Sequence, residues 1–185
     1  QVLMFGEAPV RLRVPIRGTY GERMDTPARR LAIQPSGGTV GYSSPQGFFT
    51  VEGSGENVSL YATGQKVRIT NEAGGPVSDT RFVSTSALNV WDESTTEFED
   101  AQLSTYAHAS IVDDLAASLD PDLPWIHTGL LQANVNINDV CNAFSDGDTI
   151  NFFRADENCE NTGRLADVVY HEYGHSLHRQ SLIPG

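Results

Sequence analysis

The residues best equipped for chemistry lie together in "DVVYHEYGHSLHRQSLIPG", Asp167 to Gly185. His171 and His175 are four positions apart. A helix with about 3.6 residues per turn carries both imidazoles on one side, where they can hold one metal ion. The run His171-Glu172-Tyr173-Gly174-His175 is an H-E-x-x-H pattern, two nitrogen ligands with a carboxylate between them. Neutral imidazoles leave a zinc ion enough charge to lower the pKa of its water toward about 7, from near 16 in bulk. Glu172, beside the ion without ligating it, can take that water's proton as attack on a carbonyl begins and pass it to the leaving nitrogen. A hydrolytic zinc usually takes three protein ligands. Two are visible, so the third must come from elsewhere.

The metzincin continuation of this pattern wants Gly three residues and His six residues after the second histidine. Those positions hold His178 and Ser181, so that class is excluded, and His178 reads as a solvated or supporting residue. Gly174 costs about 1 kcal/mol relative to Ala inside a helix, which points to close packing or to access. Chance occurrence on an ordinary helix is the bland alternative. The apolar lead "LADVVY", able to bury the helix, argues against it.

These side chains need a scaffold. The final helix is expected to begin near Asn161 or Thr162. Before it, "QANVNIND" alternates Ala133, Val135 and Ile137 with Asn134, Asn136 and Asn138, a half-buried strand expected near a sheet edge. "DTINFF" reads as a second strand, able to pair with the first around the "CNAFSDG" loop. A helix is expected from a capping box at Ser94 and Glu97 to about Leu119, with Leu103, Ala107, Ile111, Leu115 and Leu119 at intervals of four. "DPDLPW" ends it. Residues 1 to 92 differ. "VRLRVPIR" sets Val10, Leu12, Val14 and Ile16 on one face; "NVSLYA", "KVRIT" and "TRFVS" follow the same period, with turn clusters between them. The expectation is an α+β chain: a β-rich domain over 1–92, structural or propeptide-like, and a second domain over 93–185.

The 185 residues carry 24 acidic and 12 basic side chains, a net charge of -12. That balance repels phosphate backbones and anionic lipid, which argues against nucleic acid and membrane surfaces as partners. No apolar run approaches the roughly 20 residues of a membrane span. "QVLMFGEAPV" lacks the basic start and apolar core of a signal peptide, so an exported form is expected to have lost it already. Cys141 and Cys159 bracket a polar stretch. Three readings compete: a disulfide, two unrelated thiols, or two metal ligands. Metal sites favour short C-x-x-C pairs, which are absent, so the disulfide leads, with an oxidising compartment as its consequence.

The helix "TYAHASIVDDLAASL", the run "CNAFSDGDTINFF" and then "DVVYHEYGH" resemble the catalytic half of thermolysin-like and fungalysin-like zinc metallopeptidases, the gluzincins, over about residues 95 to 178. The resemblance implies the upper half of a zincin catalytic domain with its active-site helix beneath a cleft. It implies that Asn142 and Ala143, with Phe144 beside them, hold an extended peptide by strand addition. It also implies a third zinc ligand, a glutamate, on a following helix. Ser145 stands where these enzymes usually have Trp, which opens that subsite. Asp167 matches a family aspartate used in calcium binding; an acidic residue favourable to the helix dipole is the plainer explanation.

The leading expectation is a secreted zinc endopeptidase acting on peptide or protein substrates, with a C-terminal fragment of the same protein supplying the third ligand. "SLIPG", Ser181 to Gly185, has the character of a cleavable loop. The alternatives are a non-catalytic binding or inhibitory module with a vestigial zinc helix, and a precursor in which residues 1–92 cover the cleft.

Overall fold

The computed structural model describes residues 4–182. The chain is mixed α+β. Nine strands come first: β1 (Phe5–Pro15), β2 (Arg23–Pro27), β3 (Leu31–Pro35), β4 (Gly41–Tyr42), β5 (Phe48–Glu52), β6 (Gly55–Gly64), β7 (Val67–Asn71), β8 (Ser78–Ser84) and β9 (Asn89–Asp92). They are followed by α1 (Glu97–Leu119), α2 (Pro124–Thr128), β10 (Leu131–Ile137), β11 (Ala143–Ser145), β12 (Thr149–Phe153) and α3 (Ala166–Leu182). Pro124 heads α2 at a position where its missing N–H costs nothing. Ser181 and Leu182 close α3; the rest of "SLIPG" lies outside the described residues.

β1 alternates as its sequence dictates, burying Ala8, Val10, Leu12 and Val14. Ile16 falls past the strand's end at Pro15 and is exposed, so it leaves the face expected for it. β1 pairs antiparallel with β2 and β5 and parallel with β9 in one small sheet. The larger sheet runs β11-β12-β10-β7-β6-β3-β4, with β8 also on β6. It crosses residue 92: β7 and β10 are parallel neighbours, Val67 opposite Leu131 and Ile69 opposite Ala133. One hydrophobic core joins Val10, Leu60, Trp91, Leu103, Phe152 and Tyr173. Residue 92 marks a change from strands to helix within a shared sheet and core.

β10 is not an edge strand. It lies between β7 and β12, parallel to both; β7 comes some sixty residues earlier in the chain, and no local signal announces it. It does pair with the "DTINFF" strand, while Ala143–Ser145 inside the intervening loop forms the edge strand β11 on the far side of β12. Its alternation also slips. Asn136 has φ of 61° and is fully buried, the β10–β12 register shifts between Asn134 and Ile137, and Ile137 loses the buried position expected of it. Asn tolerates that left-handed backbone better than most residues.

α1 is enclosed on all sides from Asp100 to Ser110. The expected capping box is not formed: Thr96 is the N-cap, without a side-chain bond, and Glu97 Oε1 instead accepts from Ala155 N–H and Asn161 Nδ2, each at 3.0 Å. The four-residue stripe holds at Leu103 and Ala107 but leaves Leu115 and Leu119 exposed. A repeat of four drifts about 40° per step against the helical period, so its far end turns to solvent.

Candidate functional site

Asn161 begins the approach to α3. Its side chain accepts from Gly163 N–H at 3.1 Å, capping a single 3-10 turn over Thr162–Arg164, and its Nδ2 donates to Asn136 Oδ1 at 2.7 Å. Asn136 in turn donates to Asn71 Oδ1 at 2.9 Å and to Phe98 O at 3.0 Å. These buried amides connect β7, β10, the start of α1 and the entry to α3, each satisfied by the next. Asp100, fully buried in the first turn of α1, accepts from Arg23 and from Arg164 Nε at 2.8 Å, fixing the same turn from the other side.

α3 then presents the motif. His171 and His175 are exposed, with Nε2 atoms 2.9 Å apart and rings perpendicular at 4.5 Å between centroids. Glu172 is 5% exposed and lines the same groove. Tyr173 is fully buried on the opposite side, its hydroxyl donating to Asp113 Oδ1 of α1 at 3.0 Å. Burial holds the Asp113 carboxyl above its usual range and the Tyr173 phenol above its own. A Cβ added at Gly174 would meet open space, so of the two reasons offered for this glycine, close packing fails and access remains. His178 is exposed.

The groove holds about 460 Å³ between α3 and β11, lined by Asn142 to Gly147 on one wall and by His171, Glu172, His175 and Arg179 on the other. A second hollow of about 460 Å³ continues it past Cys141 and Thr162 toward Asp167. A larger cavity of about 590 Å³, between the 71–78 loop and the start of α1, contains no histidine or cysteine and is remote from this chemistry. Every residue lining the groove comes from 142–179.

β11 offers its free edge to the groove. Phe153 N–H donates to Asn142 O at 3.3 Å and Asp146 N–H to Thr149 O at 3.3 Å. With Phe144 opposite Asn151, alternation along an antiparallel ladder turns the amides and carbonyls of Ala143 and Ser145 away from β12. The Asn142 side chain is exposed, and Phe144, 42% exposed, leans edge-on against Phe153. Ser145 is not an open position: its hydroxyl meets Ser176 Oγ at 2.8 Å and joins β11 to α3.

Cys141 and Cys159 form a disulfide with Cα atoms 5.5 Å apart. It ties Cys141, two residues before β11, to the approach to α3. Asp156 lies against both sulfurs, but they are bonded to each other, and its carboxylate accepts from the N–H groups of Asn158 and Cys159. Asp167 is exposed in the first turn of α3. Among the described residues it joins no cluster of three groups able to hold a metal. No described helix is long and apolar enough to cross a membrane.

Arg179, Ser176 and Gly147 also shape this groove and were not anticipated. Arg179 was within reach of the sequence, since it continues the four-residue spacing of the two histidines. Compared with protein-family models and with curated proteins, the chain finds no match.

Proposed function

We propose that this chain carries the first part of the active site of a secreted, gluzincin-type zinc endopeptidase. The observation that supports this best is the pairing of two convergent imidazoles, Nε2 atoms 2.9 Å apart, with a shielded Glu172 in a groove walled by a free strand edge. Two nitrogens at tetrahedral zinc distances of about 2.0–2.1 Å stand about 3.3 Å apart. The pair therefore fits the ion after opening by a few tenths of an ångström.

Zinc, when bound, supplies the positive charge that acidifies a water and polarises a carbonyl. His171 and His175 would hold it, and on the gluzincin reading a glutamate from elsewhere in the protein would be the third ligand. Asn142 and the outward backbone groups of Ala143 and Ser145 hold the substrate as an added strand. Glu172 takes a proton from the attacking water and delivers it to the leaving nitrogen. Asp167 contributes one carboxylate to a calcium site only if the rest of the protein brings the other ligands, since calcium takes about six to eight oxygens.

The test uses the full-length protein. Glu172→Gln should abolish hydrolysis of a casein-derived peptide while equilibrium dialysis still finds one zinc bound. His171→Ala and His175→Ala should each lose the metal. Turnover retained by Glu172→Gln would remove Glu172 from the role of base, and zinc retained by both histidine variants would remove the metal site from α3.

A further inference from the structure

Arg179 extends the row that begins at the histidines. His171, His175 and Arg179 follow at four-residue intervals on α3, and all three line the groove opposite β11. The guanidinium is anchored at one nitrogen, Nη1 donating to the backbone oxygen of Asp146. The loop is shaped around its stem: Gly147 has φ of 96°, and a Cβ there would stand 2.0 Å from Arg179 Cδ. Hydrogen bonds from Thr149 and Asp148, and then the nearby Arg179 charge, hold the Asp146 carboxyl below its usual range, but the carboxylate makes no direct ion pair with the guanidinium. It accepts from Thr149 N–H at 2.7 Å, Asp148 N–H at 2.9 Å and the Thr149 hydroxyl at 3.1 Å, and Asp148 Oδ1 accepts from Gln180 at 3.0 Å. Among the described residues no ion pair joins Arg179 to a carboxylate, and Nε and Nη2 have no protein partner. A guanidinium oriented in this way matches the two oxygens of a carboxylate.

β11 and α3 run the same way along the groove. Cys141 and Asn142 lie by Asp167 and Val168, Ser145 meets Ser176, and Asp146 and Gly147 meet Arg179 and Gln180. A peptide adding to β11 in the antiparallel sense, the pairing β11 already makes with β12 and the more stable one per residue, has its amino-terminal part at Arg179. From Tyr173, midway between the histidines, to Arg179 is about 9 Å along a helix rising about 1.5 Å per residue. That distance equals two to three strand residues at about 3.4 Å each.

We propose that Arg179 determines specificity in this groove, selecting peptides with Asp or Glu two or three residues before the scissile bond. The inference rests on the peptidase reading above. In a chain of net charge -12 the attraction is local, and added salt weakens it.

The experiment compares kcat/KM for peptides identical except for Glu or Gln at each of three positions before the scissile bond and three after it. The full-length, zinc-loaded protein and its Arg179 variants are used. Wild type should favour Glu about five-fold at the second or third position before the bond, the scale of an exposed ion pair. The ratio should fall to one in Arg179→Gln, reverse in Arg179→Glu, and survive in part in Arg179→Lys, which keeps the charge without the fork. An equal ratio in wild type and Arg179→Gln, or a preference confined to the carboxyl side of the bond, overturns the inference while the peptidase reading stands. Absence of hydrolysis of every peptide by wild type overturns the peptidase reading and this inference with it.

Discussion

Acidification from pH 7 to pH 4 should destabilise the fold in part through one buried imidazole. His108 is fully buried on α1, with Nε2 2.9 Å from Pro15 O and Nδ1 2.8 Å from the Tyr170 hydroxyl. A carbonyl only accepts, so Nε2 carries the hydrogen and donates, and Nδ1 accepts from Tyr170. The neutral ring is thus satisfied at both nitrogens. Burial pushes its pKa down from 6.5 to about 4, against the opposing pull of the Pro15 carbonyl and of Asp167 and Asp100. The unfolded chain takes up this proton near pH 6.5 and the folded chain only near 4. The stabilisation is therefore complete above 6.5 and is lost as pH falls, by about 2 kcal/mol at pH 5 and about 3 kcal/mol at pH 4. Asp113 acts in the other sense, because burial raises its pKa and its protonation in acid favours the folded form. The His108 contribution must accordingly be read as a difference. Urea unfolding of wild type and His108→Gln at pH 7, 6, 5 and 4, disulfide intact, should show wild type losing about 2 kcal/mol relative to the variant between pH 7 and pH 5. A difference constant across that range would refute the reasoning.

Two further outcomes follow from contacts around the groove. Tyr173→Phe removes the donor to buried Asp113 and should cost about 1–3 kcal/mol in urea unfolding at pH 7; an unchanged midpoint would show that this bond does not hold α3 to α1. Replacing Cys141 and Cys159 together by Ser opens the loop closed by their disulfide and should cost about 3 kcal/mol, read in the same assay against wild type without reductant.

What was legible in the sequence was local. The histidine pair and Glu172 obey a spacing fixed by one helix turn, and α3 presents them as that spacing requires. β1 could be read from its alternation as far as Val14, but not at Ile16, because Pro15 ends the strand between them. The central place of β10 was hidden, since its partner β7 lies some sixty residues earlier and neither strand records the other. Asn136 stands on the amide-bearing face of that strand in the sequence pattern, and its burial was hidden for a related reason. Its burial depends on a left-handed backbone and on partners at Asn71, Phe98 and Asn161, three separate parts of the chain. The same holds for His108 and Tyr173. Nothing beside them in sequence says that Pro15, Tyr170 and Asp113 await them.

The groove depends on β11 more than its three residues would suggest. An edge strand of that length has little pairing of its own, yet it must stand at a fixed distance from the imidazoles if a peptide bond is to be held against them, where a misplacement of about 1 Å can cost a hundredfold in rate. Both ends are fastened. At the first, the Cys141–Cys159 disulfide and the Thr162 hydroxyl, donating to Asn142 O at 3.0 Å and accepting from Phe153 N–H at 2.9 Å, join the strand to the turn that leads into α3. At the second, Ser145 meets Ser176, and Arg179 and Gln180 donate to the carbonyls of Asp146 and Gly147. The strand and the helix are therefore fixed to each other on both sides of His171 and His175. On the peptidase reading proposed above, a substrate pairing with β11 would have its backbone positioned against those histidines by contacts that do not involve its own side chains, and selectivity would fall to residues such as Arg179 at the groove's end.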